Sequence, residues 1–249
     1  MNRHLAPLIT AAMLVASPLS AFDLTSMSDA ERTAFGAEIR AYLLENPEVI
    51  MEAVSVLEKR TDAAQELNDG DLIATNAEAI FDDANSWTGG NPDGDITVVE
   101  FVDYRCGYCR KAHDEVAQLI KSDGNIRFIV KEFPILGADS LASARFAIAT
   151  RRVAGDAAYK AAHDALISLK TEASETALSR VAEGLNLDAD AILKDMNSDE
   201  VSAIIGATHA LAGRLQISGT PTFVMGDQMV RGYVPFDGMQ QIVAELRKK

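Results

Sequence analysis

Two hydrophobic periods alternate along the chain. A capping-box start at Ser28-Asp29-Ala30-Glu31 opens a helix to about residue 44. Asn46-Pro47-Glu48 opens a second, with Asn as N-cap, Pro in the first helical position and an acid in the first turn. Val49, Ile50, Ala53, Val54 and Leu57 then recur at helical spacing, with Glu52, Glu58, Lys59 and Arg60 between them. Asn68-Asp69-Gly70-Asp71 predicts a break. Residues 87–95 read as a dense turn cluster.

The period then shortens. Residues 96–102 form an apolar run of strand length, residues 106–121 read as helix, and residues 126–131 as a second strand closed by Pro134. Residues 140–215 are helical almost throughout, with breaks at Gly155-Asp156, near residues 171–174, and at Leu187-Asp188. Residues 221–225 read as a third strand, Gly226-Asp227 as a tight turn into Met229-Val230-Arg231, and residues 234–249 as a closing helix. A strand–helix–strand unit followed by an antiparallel hairpin predicts a mixed sheet with helices on its faces. The helical block of about 138–215 is then an inserted subdomain.

The first residues bear on compartment. A short basic start with Arg3, an apolar run over 5–17 and small residues ending at Ala21 have the layout of a secretory signal peptide, cleaved near Ala21. The run is too short to span a bilayer. Removing it leaves 22 basic and 37 acidic residues, a formal charge of −15, which argues against nucleic acid or anionic membrane as partners. The expected domains are a signal peptide at 1–21, a helical arm at 22–70, and a catalytic domain at 75–249. The apolar stripe of the arm needs a partner, either its own globular domain or other copies of the chain.

Cys106 and Cys109 are the only cysteines in 249 residues, and they follow the first strand directly. A bridge across two residues closes too small a loop to contribute much stability, so the pair reads as a redox centre. The start of a helix presents unpaired N–H groups and the positive end of the dipole to Cys106, which stabilises a thiolate. Cys109, a turn deeper, would resolve a mixed disulfide. Glu100, six residues before Cys106 within an apolar strand, is either edge-facing or a buried functional acid. Asp103 and Arg105 are expected to shape the rim. His113 is expected on the surface, and His163 and His209 in structural roles. With no second C-x-x-C and no histidine cluster in the sequence, no metal site is expected.

The stretch Val99-Glu100-Phe101-Val102-Asp103-Tyr104-Arg105-Cys106-Gly107-Tyr108-Cys109-Arg110 resembles the active-site segment of the DsbA family of thiol-disulfide oxidoreductases. Ser218-Gly219-Thr220-Pro221-Thr222-Phe223 resembles that family's cis-proline segment. Residues 28–67 are similar to the N-terminal region of the suppressor-of-copper-sensitivity protein C group. The resemblance implies an α/β thioredoxin-like fold with a helical insertion. It also implies a nucleophile at Cys106, a resolving thiol at Cys109, and proton transfer assisted by Glu100. Gly107, Tyr108, Thr220 and Pro221 would meet the substrate, with Thr220 tuning its release. Gly107-Tyr108 lacks the histidine of the strongest oxidants in the family, implying a milder oxidant.

The expected partners are exported cysteine-containing proteins, a membrane redox partner, and other copies of the chain through the arm, in the periplasm. No cofactor is called for. The function expected is a thiol-disulfide oxidoreductase acting on exported proteins, tilted by the arm towards a multimeric isomerase or reductase; the alternatives are a monomeric dithiol oxidase, a Cu(I)-binding metal-tolerance protein using the same cysteines, and a thiol sensor.

Overall fold

The computed structural model describes residues 26–248. The expected signal peptide and the first residues of the arm lie outside the described residues. The chain forms two compact units that divide between Lys59 and Arg60. In the first, helix α1 (Asp29–Glu45) starts on the anticipated capping box: Ser28 N donates to Glu31 Oε2 at 2.8 Å and Glu31 N donates to Ser28 Oγ at 3.4 Å. Pro47 leads into α2 (Glu48–Thr75). Helix α1 buries no residue, and Phe35, Ile39, Tyr42 and Leu44 stay exposed, as do Ile50, Met51, Val54 and Leu57 on α2.

The second unit is built on a mixed sheet of β1 (Trp87–Gly90), β2 (Ile96–Val102), β3 (Ile126–Glu132), β4 (Thr222–Met225) and β5 (Gln228–Arg231), in the order β1-β3-β2-β4-β5. Central β2 runs parallel to β3, from Ile96 opposite Ile126 to Val102 opposite Glu132, and antiparallel to β4. The parallel crossover is α4 (Gly107–Asp123). Because side chains alternate along a strand, Ile96, Val98 and Val102 enter one core while Val99 and Phe101 enter another on the opposite face.

The first core is closed by α4, by α10 (Phe236–Leu246), and by the insertion helices α5 (Ala138–Ala154), α6 (Asp156–Ser168), α7 (Glu175–Gly184) and α8 (Ala189–Asp195). The second is closed by Ile73 of α2, Ile80 of α3 (Ala77–Phe81), and Leu211 and Ala212 of α9 (Asp199–Arg214). Among the described residues no helix is long and apolar enough to cross a membrane.

Three expectations fail for identifiable reasons. Asn68-Asp69-Gly70-Asp71 does not break the chain, and α2 continues to Thr75. Asp69 there is buried, accepting from Gln65 Nε2 at 2.9 Å and Arg231 Nη2 at 2.8 Å, and Ile73 one turn on enters the core. Tertiary contacts override the local turn signal. Trp87-Thr88-Gly89-Gly90, expected as part of a turn cluster, is instead edge strand β1, paired antiparallel with β3 from Trp87 opposite Val130 to Gly90 opposite Arg127. An additional break over residues 196–198 separates α8 from α9, where Ser198 caps the new helix by accepting from Val201 N at 3.3 Å.

Gly89 explains why a glycine-rich tetrapeptide can be a strand. A Cβ at Gly89 would lie 2.1 Å from the Trp87 ring. That ring is held by stacking on Tyr159 at 5.6 Å and by its N–H donating to Asp156 O at 3.0 Å. Gly89→Ala is therefore expected to destabilise the protein by about 1–3 kcal/mol, the usual cost of overpacking, as read from chemical denaturation. An unchanged midpoint would show that the ring has room to move.

Candidate active site

Strand β2, buried on both faces, ends at Val102 and hands the chain through Asp103-Tyr104-Arg105 to α4. Cys106 is the N-cap of that helix, with φ −74° and ψ 120°. Its side chain makes no capping hydrogen bond to the helix, although the residue stands at the end of α4 that favours negative charge. Cys109, Ala112, Val116 and Leu119 form the buried face of α4, so the second sulfur points inward. Both cysteines are free thiols. Cys106 Sγ donates to the Thr220 carbonyl at 3.1 Å, and the Thr220–Pro221 peptide is cis. Thr220 is half-buried and Pro221 buried, so the proline segment lies directly against the first cysteine.

Gly107 and Tyr108 are the exposed part of the motif. No atom lies within 4 Å of where a Gly107 Cβ would be. The Tyr108 ring, 63% exposed, stacks on Tyr233 at 6.3 Å, and Lys111 Nζ stands 4.1 Å over the Tyr233 ring. Tyr233 is fixed from behind by donating to Glu115 Oε1 at 2.6 Å. This exposed aromatic platform beside the cysteines includes Tyr233, which nothing in the local sequence flags.

Below the cysteines the site is acidic and buried. Glu100 faces the first core rather than a sheet edge, and burial, reinforced by the charge of Glu132, pushes its carboxyl up to about 8. Burial likewise pushes the Cys109 thiol far up, with the Glu100 charge as the second cause. Glu132, two residues beyond the Glu100 partner Val130 in the β2–β3 register, is a second buried acid, also raised to about 8 by desolvation. Its Oε1 accepts from Tyr104 at 2.7 Å and from Tyr159 at 2.6 Å, while its Oε2 has no hydrogen-bond partner. Glu132 sits at a strand end with no motif around it, and only its place in the register reveals it.

Asp103 departs from the expected rim position. It is 1% exposed and accepts four bonds: from Arg105 N at 2.8 Å, Ser140 Oγ at 2.7 Å, Ile135 N at 2.8 Å and Leu136 N at 3.0 Å. It joins the catalytic loop to the start of the insertion. Arg105 reaches the Thr171 carbonyl at 2.9 Å, and Arg110 the Leu169 carbonyl at 2.7 Å.

Of the histidines, His113 departs from its expected surface position. His113 is half-buried, with its Nε2 3.1 Å from Asp164 Oδ1. Fully buried His163 lies with its ring 5.3 Å from that of His113, and desolvation pushes it down to about 3. Fifty residues of sequence hide that convergence. His209 packs on Phe133 at 4.9 Å.

Two predictions follow from these burials. For a buried acid raised from about 4.5 to about 8, the folded state holds a proton that the unfolded state releases, so its stabilising contribution is full below about 4.5 and lost as pH rises towards 8. Glu100→Gln should therefore gain stability over the parent between pH 5 and 8, by roughly a kcal/mol per pH unit. Denaturation at pH 5 and pH 8 measures this, and a pH-independent difference would contradict it. Iodoacetamide added to reduced protein at pH 7 should modify Cys106 while Cys109 stays protected until denaturant is added. Peptide mapping showing equal modification would refute that order.

Comparison with known proteins agrees with this geometry. Residues 97–244 match the family described as DSBA-like thioredoxin domain, and residues 31–65 match the copper resistance protein ScsC N-terminal domain. A thioredoxin-like oxidoreductase from Silicibacter pomeroyi is 42% identical, with a TM-score of 0.65, over 69% of this chain and 98% of that one. BcfH from Salmonella enterica Typhimurium is 26% identical with a TM-score of 0.70, over 87% and 96%. Among curated relatives, a Na(+)/H(+) antiporter NhaA 3 of Salinispora tropica is 28% identical over 143 residues, 57% of this chain. The chain covers only 22% of that relative's length. The match over 97–244, together with a C-x-x-C at a helix start facing a cis-proline, means that the chain belongs to the DSBA-like thioredoxin domain family.

Proposed function

We propose that this protein is an exported thiol-disulfide oxidoreductase of the periplasm that exchanges disulfides with cysteine-containing proteins, working as a multimeric isomerase or reductase. The observation that carries the reading is the pairing of an N-terminal helix thiol, Cys106, held against Thr220-Pro221, with a buried thiol, Cys109, beside a buried acid.

In the reducing direction, the Cys106 thiolate attacks one sulfur of a substrate disulfide. A Cys106–substrate disulfide forms, the substrate S–S bond breaks, and the leaving sulfur takes up a proton. Cys109 then loses its proton to the Glu100 carboxylate and attacks Cys106 Sγ. The Cys106–Cys109 disulfide forms and the second substrate sulfur leaves as a thiolate, so the substrate gains the two electrons that the cysteine pair gives up.

An acid raised towards neutrality suits this step, since it can accept the Cys109 proton and return it in the reverse reaction. Thr220 and Pro221 would position the substrate backbone, with Gly107 leaving room for it and Tyr108 offering an apolar face. In isomerisation the substrate's own thiol displaces Cys106 and no net electrons move. A membrane redox partner would keep the pair reduced.

The multimeric part of the proposal is supported by α1 and the start of α2, where Phe35, Ile39, Tyr42, Ile50, Val54 and Leu57 are exposed at helical spacing, and by the ScsC N-terminal match over 31–65. The deciding measurement is refolding of scrambled ribonuclease by the mature chain with and without residues 22–67, alongside sedimentation of both. The mature chain is expected to sediment as a multimer, and the truncation as a monomer that loses most isomerase activity yet still reduces insulin. A monomeric mature chain whose isomerase activity survives truncation would replace this reading with a monomeric dithiol oxidase. Slow exchange combined with stoichiometric, tight Cu(I) on the cysteines would replace it with a metal-tolerance protein.

A further inference from the structure

Helices α4 and α6 bring three potential ligands together one helical turn along α4 from Cys109. His113 comes from α4, and His163 and Asp164 from α6. One ligating atom from each lies within 4.8 Å of the other two. His113 Nε2 is 3.1 Å from Asp164 Oδ1. In a tetrahedral site with metal–ligand bonds of about 2.0–2.1 Å, donor atoms stand roughly 3.3 Å apart; the His113–Asp164 pair already has that spacing, and His163 lies within 4.8 Å of both. We propose that His113, His163 and Asp164 form a binding site for one divalent cation of the zinc class, independent of the two cysteines.

The hydrogen bonds around His163 suit a ligand. The Tyr104 hydroxyl stands 2.7 Å from Glu132 Oε1 and 2.9 Å from His163 Nδ1. With that hydroxyl donating to Glu132, its oxygen can accept from His163 Nδ1, the tautomer that leaves the Nε2 lone pair for a metal. A histidine whose second nitrogen is anchored to a buried oxygen network is the arrangement that orients metal-binding imidazoles. His163 is 4% exposed, and burial keeps it neutral and therefore competent to ligate.

Access is also present. A cavity of about 180 Å³ is lined by His113 and His163 together with Lys160, Lys121, Gly90 and the buried Glu100, and is otherwise apolar. It would supply the open fourth position of a three-ligand site. Two imidazoles and a carboxylate select borderline divalent ions, such as Zn(II), Co(II) or Cu(II), rather than the soft monovalent ions that thiolates prefer.

Lys160 gives the proposal a specific signature. Its ammonium stands 2.7 Å and 2.6 Å from the two Asp164 oxygens, occupying the place of the cation in the metal-free protein. Ion and ammonium compete for one carboxylate. An ion bound here would tie α4 to α6 one helical turn beyond Cys109.

The test uses the full mature chain carrying Cys106→Ser and Cys109→Ser, so that no thiol can bind. Zn(II) is titrated against a chromophoric chelator at pH 7, and Co(II) replaces it for visible spectroscopy. One equivalent of Zn(II) is expected to bind, with a tetrahedral Co(II) spectrum and a melting temperature that rises with Zn(II) concentration. His113→Ala and Asp164→Asn should each weaken binding at least about tenfold and abolish the thermal shift. Lys160→Ala should tighten binding severalfold, a gain that misfolding could not produce. Absence of saturable binding, Zn(II) affinity unchanged by His113→Ala or Asp164→Asn, or affinity not increased by Lys160→Ala would overturn the proposal. The outcome is separable from the proposed disulfide chemistry, because the tested protein has no thiols.

Discussion

Everything at the site is referenced to β2. It is the central strand, paired on one side with β3 and on the other with β4, and buried on both faces. A strand held by two ladders and two cores cannot slide by one residue without turning its apolar set the wrong way round. Its end therefore fixes where Cys106 emerges, and its neighbour β4 fixes where Pro221 meets that cysteine. The Cys106 sulfur thus follows directly on a strand held from both sides, while Gly107 and Tyr108 beside it are exposed.

The same constraint gives the site its acidity. Alternation along β2 and β3 sends Glu100 and Glu132 into the same core. Two like charges in that space cannot both be held cheaply, so burial raises both carboxyls towards neutrality. The tyrosines answer one oxygen of Glu132 and leave the other without a partner. Holding two buried acids in one core costs stability at neutral pH, because each must either stay protonated or be ionised away from water.

Much of this was legible in the residues. The strand–helix junction carrying Cys106 and Cys109 and the helical insertion have strong local signals, and the cis Pro221 was implied by the family resemblance rather than by its own dipeptide; the structure has all three. What was illegible depends on contacts distant in sequence. Trp87–Gly90 reads as a turn because its strand character comes from β3 and from a ring that only glycine can accommodate. Asn68–Asp71 reads as a break because the partner that holds Asp69 is Arg231. Asp103 looked like a rim residue because three of its four donors lie more than thirty residues away. His113 and His163 belong to helices whose packing the periodicity cannot specify.

The Asp103 carboxylate has a mechanical meaning. One buried group grips the backbone immediately before Cys106 and, with its remaining bonds, the first residues leading into α5. Arg105 and Arg110 add a second attachment at the far end of α6, through the carbonyls of Leu169 and Thr171. The insertion is thus bolted to the catalytic loop at two points on either side of its first helix pair. The helical layer and the backbone that carries Cys106 are therefore one mechanical piece, joined by side-chain bonds as well as by chain continuity.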